Sequence, residues 1–551
     1  MFKKRLLLLI PTVIAMAGMS ACDSLPEIIS IIESELNKDS SGEPGDSTGQ
    51  EPGDSTSVEP GNSGDTSSIS SVSSTSSNAP STSSQEPDNP PTTYKAHPWI
   101  SENEAVTIRW DNTFSYTSQI ETLINDFNKI EPYITVNSNK ISGGYDLIES
   151  NTITGFAGGD YANIVTCYPD HVANYIDYRK AINFENYIYS EYGYTDEELF
   201  DFVESYIEEG MSFFDEGIYV MPQSKSTEVM FYNAKIIGKV IEGVNGGRPI
   251  SESYINSLTW EELFENFAPK FVEWNNNPAN KIVKLDPSEW TKNKFGGILG
   301  YDSDANLFIT MAKQMGIPYT SFNMKTGYGS VDFDNPEAKA LVTKLKRYYD
   351  SGYLFTQGTC GSYTNYAFTD NQCLFTIGST GGLKYQVGDE SEVKVAFIPQ
   401  ARNGAEDAVI SQGPGVCILD RGNEKENLAA WAFIKFLNEP DNTMYWSTET
   451  GYAPTRYSVF ENDDFIEFCD PESQEGNDGK VRAKVLSLYD QVKDYLFVSP
   501  AFKGSSTVRA QVGGLLTNAL IDKDGHMTAN TYQEWLDSIF ADALNTCKKA
   551  L

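Results

Sequence analysis

The chain has 551 residues, 40% of them hydrophobic and 12% aromatic, enough for more than one packed domain. Asp and Glu number 77 against 41 Lys and Arg, a formal charge of −36 that opposes nucleic acid and anionic membrane as partners. Three histidines, His97, His171 and His526, are too few and too scattered for a histidine-rich metal centre, and the seven cysteines show no C-x-x-C spacing for zinc. Cysteines 167, 360, 373, 417, 469 and 547 have two readings, disulfides or isolated buried thiols, and spacing does not choose between them.

Lys3-Lys4-Arg5 precede an apolar run over 6–17, the order of a secretory signal that is too short to remain as a spanning helix. Met19-Ser20-Ala21-Cys22 closes the run and resembles a bacterial lipoprotein processing site. Small residues at 20 and 21 admit a peptidase, and Cys22 offers a thiol for lipidation. A short apolar patch over 25–36 predicts a brief helix. Residues 40–92 are mostly Ser, Gly, Pro, Thr, Glu and Asp, with no aromatic residue, Lys or Arg. EPGDST at 51–56 nearly repeats GEPGDSTG at 42–49. Such a stretch buries too little to offset the entropy of ordering, so a flexible acidic tether is expected.

From Tyr94 onward the pattern is globular. A strand at 106–110, a helix at 118–129, a strand from Ile134, a helix at 144–155 and a strand at 162–167 predict an α/β unit with a mostly parallel sheet. Ligands of such sheets bind beyond the carboxyl ends of the strands, where Trp110–Tyr116 and Tyr168–Asp170 stand. Thr195 and Glu198 form a capping box. The organising stretch is 217–236, GIYVMPQSKSTEVMFYNAKI. Its apolar runs flank a polar turn at 223–228, a place where the backbone crosses between lobes. A second unit over 229–365 carries a capping box at Thr259, a glycine-bearing strand at 295–300 and helices at 305–315 and 337–350. A strand at 373–377 runs into Gly378-Ser379-Thr380-Gly381-Gly382, small residues that open a helix and free backbone donors. Strands at 393–398 and 413–419 follow, the latter read as a second crossing. Helices are expected at 427–436, 486–497, 512–520 and 535–546, with a compact loop at 451–456.

The segments SKSTEVMFYN (224–233), TWEEL (259–263), CLFTIGSTGG (373–382), AAWAFIKFLNEP (429–440) and GYAPTR (451–456) occur in the order found in a known family. The chain resembles the extracellular solute-binding lipoproteins of ATP-driven (ABC) importers, in the branch of sugar-binding and glycerol-phosphate-binding proteins with the fold of maltose-binding protein. The resemblance covers about 104–551. It implies a two-lobed α/β fold of the type II periplasmic-binding-protein class, with mostly parallel sheets, flanking helices and hinging strands. The implied division is a signal peptide at 1–21, an anchored tether at 22–93, a first lobe at 94–224 with 366–412, and a second at 225–365 with 413–551. It implies capture of a small solute and delivery to permease subunits, with no catalysis, no cofactor, a monomeric state, and membrane contact only through the lipid anchor on the outer face of the cytoplasmic membrane.

Carried onto this chain, the ligand contacts of the first lobe are Trp110, Asp111, Ser115 and Tyr168 or Asp170. The crossing contributes Ser226, Thr227 and Glu228, and the turn contributes Ser379 and Thr380. The second lobe contributes Trp446, Gly451, Tyr452 and Arg456, with Arg509 beside them. Sugars suit such a set, because carboxylates and hydroxyls meet sugar hydroxyls while Trp and Tyr meet ring faces. An anionic head group would instead need arginine and backbone donors. The excess of acid over base favours a neutral glycan, with a glycerol phosphate as the alternative. Structural roles stand beside these: Trp110 as core, Glu228 as a brace between strands, Ser379 and Thr380 as a helix cap. The acidic turn at 522–525 fails as an EF-hand, since aligning Gly525 leaves Leu520 and Thr531 at ligand positions. A surface glycoside hydrolase needs a carboxylate pair at a set separation, for which there is no local signature, and an adhesion scaffold needs repeated β-rich domains, which are lacking.

Overall fold

The computed structural model describes residues 93–248, 251–286, 295–323, 326–388 and 392–551. The expected signal, lipidation site, short helix and tether lie outside these residues, apart from the last residue of the tether range, Thr93. Ten strands build two sheets: β1 Val106–Asn112, β2 Ile134–Lys140, β3 Ile164–Cys167, β4 Met221–Pro222, β5 Glu228–Asn233, β6 Gly297–Tyr301, β7 Leu354–Thr356, β8 Cys373–Ser379, β9 Val393–Ala396 and β10 Gly415–Ile418. The first sheet has the order β2-β1-β3-β10-β4, the second β9-β5-β8-β6-β7.

Both sheets are mixed rather than mostly parallel. β1 pairs in parallel with β2 and β3, whereas β10 runs antiparallel to β3 and β4. In the second sheet β8–β6 and β6–β7 are parallel, and β5 is antiparallel to β8 and β9. The strands after 366 also pair differently from the expected division. β8 and β9, expected in the first lobe, lie in the second sheet, and β10, expected in the second, lies in the first. β8 and β10 are buried, mainly apolar runs and β9 is a short strand broken only by the exposed Lys394, so distant partners decide which sheet they join.

Local chemistry sets most helices. Tyr116 precedes helix Thr117–Ile130, whose Ile120, Leu123 and Phe127 are buried along one face. The Thr195 capping box is formed with both reciprocal bonds. Asn335 caps helix Pro336–Asp350 with proline at its start. The segment expected as one helix at 486–497 instead ends helix Gly476–Val492 and finishes as a short strand, Leu496–Phe497, paired with Val409–Ile410.

The chain crosses between the sheets at 223–227 and returns at 397–414. The two crossings pair with each other. Ser226 N–H donates to Gln412 O at 2.9 Å and Gln412 N–H donates back at 2.8 Å. A third segment joins them, with Ala453 N–H donating to Lys225 O at 2.6 Å. Gly413 has φ +82°, and a Cβ there would lie 2.0 Å from Ser224 O, so only glycine fits this close approach. Lys225 is buried in the crossing; its ammonium donates to Glu209 at 2.5 Å and to Gly413 O at 3.1 Å. The largest core lies around the second sheet, with helix Asp304–Met315 and helix Ser505–Ile521 packed together. Val165, Cys167, Tyr175, Cys417 and Leu419 centre a separate core under the first sheet. The six described cysteines are all free thiols.

Candidate functional site

A cavity of about 260 Å³ opens between the two sheets' lobes. Tyr145-Asp146 and Tyr168–His171 come from the loops and helix starts beyond β2 and β3. Ala305, at the start of the helix beyond β6, faces them with Tyr319, Thr320 and the helix residues Ser505, Ser506, Arg509, Ala510 and Gly513. The crossing supplies Ile410, Ser411 and Gln412. The carboxyl ends of strands in both sheets thus point at one space.

The walls are polar and aromatic. Tyr145 and Tyr168 pack edge to face with ring centroids 5.0 Å apart. Burial pushes Tyr168 up to about 12, so it is a neutral donor at any physiological pH. His171 Nδ1, Thr320 Oγ1, Ser411 Oγ and Ser499 Oγ belong to residues lining the cavity and are buried without a hydrogen-bond partner. Orphaned buried polar atoms cost free energy unless something satisfies them. His171 Nε2 lies 3.6 Å from Asp146, 3.8 Å from Glu149 and 3.9 Å from Asp170. Burial lowers its proton affinity, but Asp170, Asp146 and Glu149 outweigh that and hold the imidazole above its usual value.

Arg509 reaches the opposite wall and donates to Asn306 Oδ1. Asn306 Nδ2 in turn donates to Glu228 Oε1 at 2.7 Å. Gln412 Nε2 donates to the same oxygen at 3.1 Å, and the Tyr301 hydroxyl donates to Glu228 Oε2. Burial pushes Glu228 up to about 7 against the pull of its bonds from Tyr301 and Asn306. Glu228 is therefore a buried brace joining the crossing, the second core and the arginine on the wall.

Of the residues expected at the ligand, Tyr168, Asp170 and Arg509 line the cavity. The others stand elsewhere, each for a packing reason. Trp110 is core: its Nε1–H donates to Thr166 Oγ1 at 2.9 Å, and Phe433 meets it edge-on. Asp111 accepts from Asn139 at 2.9 Å and pairs with Arg109. Ser115 accepts from the Tyr385 hydroxyl at 3.1 Å, a contact between lobes. Ser226 and Thr227 are held within the crossing, Thr227 Oγ1 donating to Ile410 O at 2.9 Å. Ser379 caps the turn Thr380–Tyr385, and Thr380 bonds the Tyr489 hydroxyl.

Trp446 is buried against Tyr452, Phe114 and Tyr116. Gly451, at φ +84°, ends helix Pro440–Thr450 where a Cβ would meet Leu383 at 2.1 Å. Tyr452 is buried with its ring stacked on that of Trp446, centroids 6.1 Å apart. Arg456 is fully buried; it donates to Asn438 O at 2.7 Å and to Glu198 O and lies 3.5 Å over the Phe202 ring. His171 is not expected at the site from sequence although it adjoins the marked strand end Tyr168–Asp170, and Tyr145 and Asp146 follow β2, whose end is not marked. Tyr319, Thr320 and Ser499 carry no local signal. Among the described residues no group of His, Cys, Asp and Glu is arranged to hold a metal ion.

Two α/β lobes, joined by paired crossings and enclosing a polar cavity at their strand ends, define a two-lobed solute-binding fold. The chain belongs to the family of bacterial extracellular solute-binding proteins, whose model matches residues 122–469. Comparison with curated protein sequences gives no match. Several solved structures share the fold. The ABC substrate-binding protein Lmo0181 from Listeria monocytogenes, in complex with cycloalternan, matches with TM-score 0.60 and 15% identity over 80% of this chain and 98% of that one. Maltose-bound MalE3 from T. maritima gives 0.58 and 16% over 81% and 100%. UgpB from Mycobacterium tuberculosis, in complex with glycerophosphocholine, gives 0.57 and 16% over 79% and 99%. At these identities the likeness is one of fold, and the bound compounds differ in chemistry.

Proposed function

We propose that this protein captures a carbohydrate in the interlobe cavity and delivers it to the permease of an ABC importer, without catalysis. The observation that carries the reading is the set of unpartnered buried polar atoms, His171 Nδ1, Thr320 Oγ1, Ser411 Oγ and Ser499 Oγ, distributed around the cavity with three tyrosines. A polyhydroxylated ring would satisfy the former through its hydroxyls and the latter through its apolar face. The basic-then-apolar start, Cys22 and the acidic tether support a lipid-anchored protein held off the outer face of the cytoplasmic membrane. Among the described residues no helix is long and apolar enough to cross a membrane.

A glycerol phosphate is the second reading, and Arg509 favours it. This guanidinium faces the cavity, and among the described residues no carboxylate pairs with it. Titration calorimetry with neutral mono- and oligosaccharides against glycerol phosphates separates the two. Saturable binding of a saccharide is expected; binding of glycerol phosphates alone would overturn the carbohydrate reading.

A further inference from the structure

We infer that the solute presents a protonated amine beside its hydroxyls, and that Asp170 receives it. The inference rests on the carbohydrate reading above and narrows it to an amino sugar. Asp170 stands in the first turn of helix Pro169–Asp177 with its side chain 18% exposed on the cavity wall. It accepts the N–H of the next residue, His171, at 3.1 Å, and among the described residues no Lys or Arg pairs with it.

The neighbouring charges do not cancel it. Asp146, Glu149 and Asp170 surround the single imidazole of His171, so this wall stays net negative whether or not that ring is protonated. Lys225 is taken by Glu209 at 2.5 Å. Arg509, on the far wall, supplies one positive charge against Asp146 and Asp170 in the lining, with Glu149 beside His171.

A second observation points to a bound solute at this wall. His171 is 2% exposed and its Nδ1 has no partner. With Nε2 turned to the carboxylates, Nδ1 is an open acceptor when the ring is neutral and an open donor when the carboxylates hold it protonated, so either form has a hydrogen bond to offer a bound solute. Carboxylate oxygens and the rings of Tyr145 and Tyr168 together suit an ammonium, which offers N–H donors and is attracted to aromatic faces. A phosphate entering here would meet charge of its own sign, with one arginine to offset it.

The test is titration calorimetry on the full folded protein at low salt. The probes are glucose, galactose and mannose, each with its 2-amino and 6-phosphate counterpart. For at least one epimer the amino sugar should bind about tenfold more tightly than the parent, the size of one charge-assisted hydrogen bond, and the phosphate more weakly than the parent. Asp170→Asn should remove the amine's advantage, so that within this variant the amino sugar and its parent bind within about twofold of each other. Equal affinities for parent and amino sugar, or tightest binding of a phosphate, would overturn this inference; the first leaves the carbohydrate reading intact. Binding of none of the probes would overturn both. The wild-type ranking decides the matter even if the variant fails to fold.

Discussion

Glu228 shows how one residue serves the site without touching the cavity. It accepts from Tyr301, Asn306 and Gln412, and Asn306 passes the linkage to Arg509. Its folded value of about 7 lies above the usual 4.5, so the folded protein holds this proton more tightly than the unfolded chain. Its favourable contribution is therefore complete below pH 4.5 and is lost as pH rises through about 7. Glu228→Gln fixes the uncharged form, so its melting temperature relative to wild type should climb between about pH 5 and pH 8. A constant difference across that range would show that Glu228 is not protonated in the fold. Arg456 is a second structural case. Its guanidinium satisfies two backbone carbonyls and covers Phe202. Arg456→Met should cost about 3 kcal/mol in denaturant unfolding, because buried carbonyls lose their donors. Lost solute affinity at unchanged stability would instead make Arg456 a ligand contact. These residues explain what was legible beforehand. Tyr168 and Asp170 could be marked because the end of a strand carries a local signal, whereas Arg509, half-buried, was reached only through the family resemblance. Trp110, Trp446 and Arg456 look the same locally, yet Phe433, Tyr452 and Phe202 bury them from segments that no local pattern brings near.

At the scale of elements, strand and helix positions followed from periodicity and caps, whereas sheet membership did not. β8 and β10 are both short, buried and apolar. β8 is claimed by β5 and β6, β10 by β3 and β4, and those contacts span up to about 250 residues of chain. The expected mostly parallel sheets failed for the same reason, since each crossing brings a strand back antiparallel. The crossings themselves make a firm prediction. Gly413 combines a left-handed backbone with a Cβ position 2.0 Å from Ser224 O. Gly413→Ala should lose about 2 kcal/mol or more of stability and loosen the Ser226–Gln412 pairing, seen as faster amide exchange at those two residues. Wild-type stability in this variant would mean the crossing is not constrained as described.

At the scale of the whole molecule, the two lobes meet on their facing loops as well as at the crossings. The Tyr116 hydroxyl donates to Gly381 O at 3.2 Å and to Thr450 O at 3.0 Å, and Lys384 sits 4.0 Å over its ring. Solute between the lobes would add bonds to both walls at once, which is how capture can bias the relation of two lobes. The central claim is therefore a location: solute sits between Tyr168–His171 and Arg509. Ala510 is exposed on the helix wall of that cavity, one residue from Arg509. Replacing it with tryptophan fills the space without touching either core. The decisive measurement is the calorimetric affinity of Ala510→Trp for the best-binding saccharide. The account predicts at least about a hundredfold loss, with the melting temperature of the empty protein within about 2 °C of wild type. Wild-type affinity in that variant would contradict it.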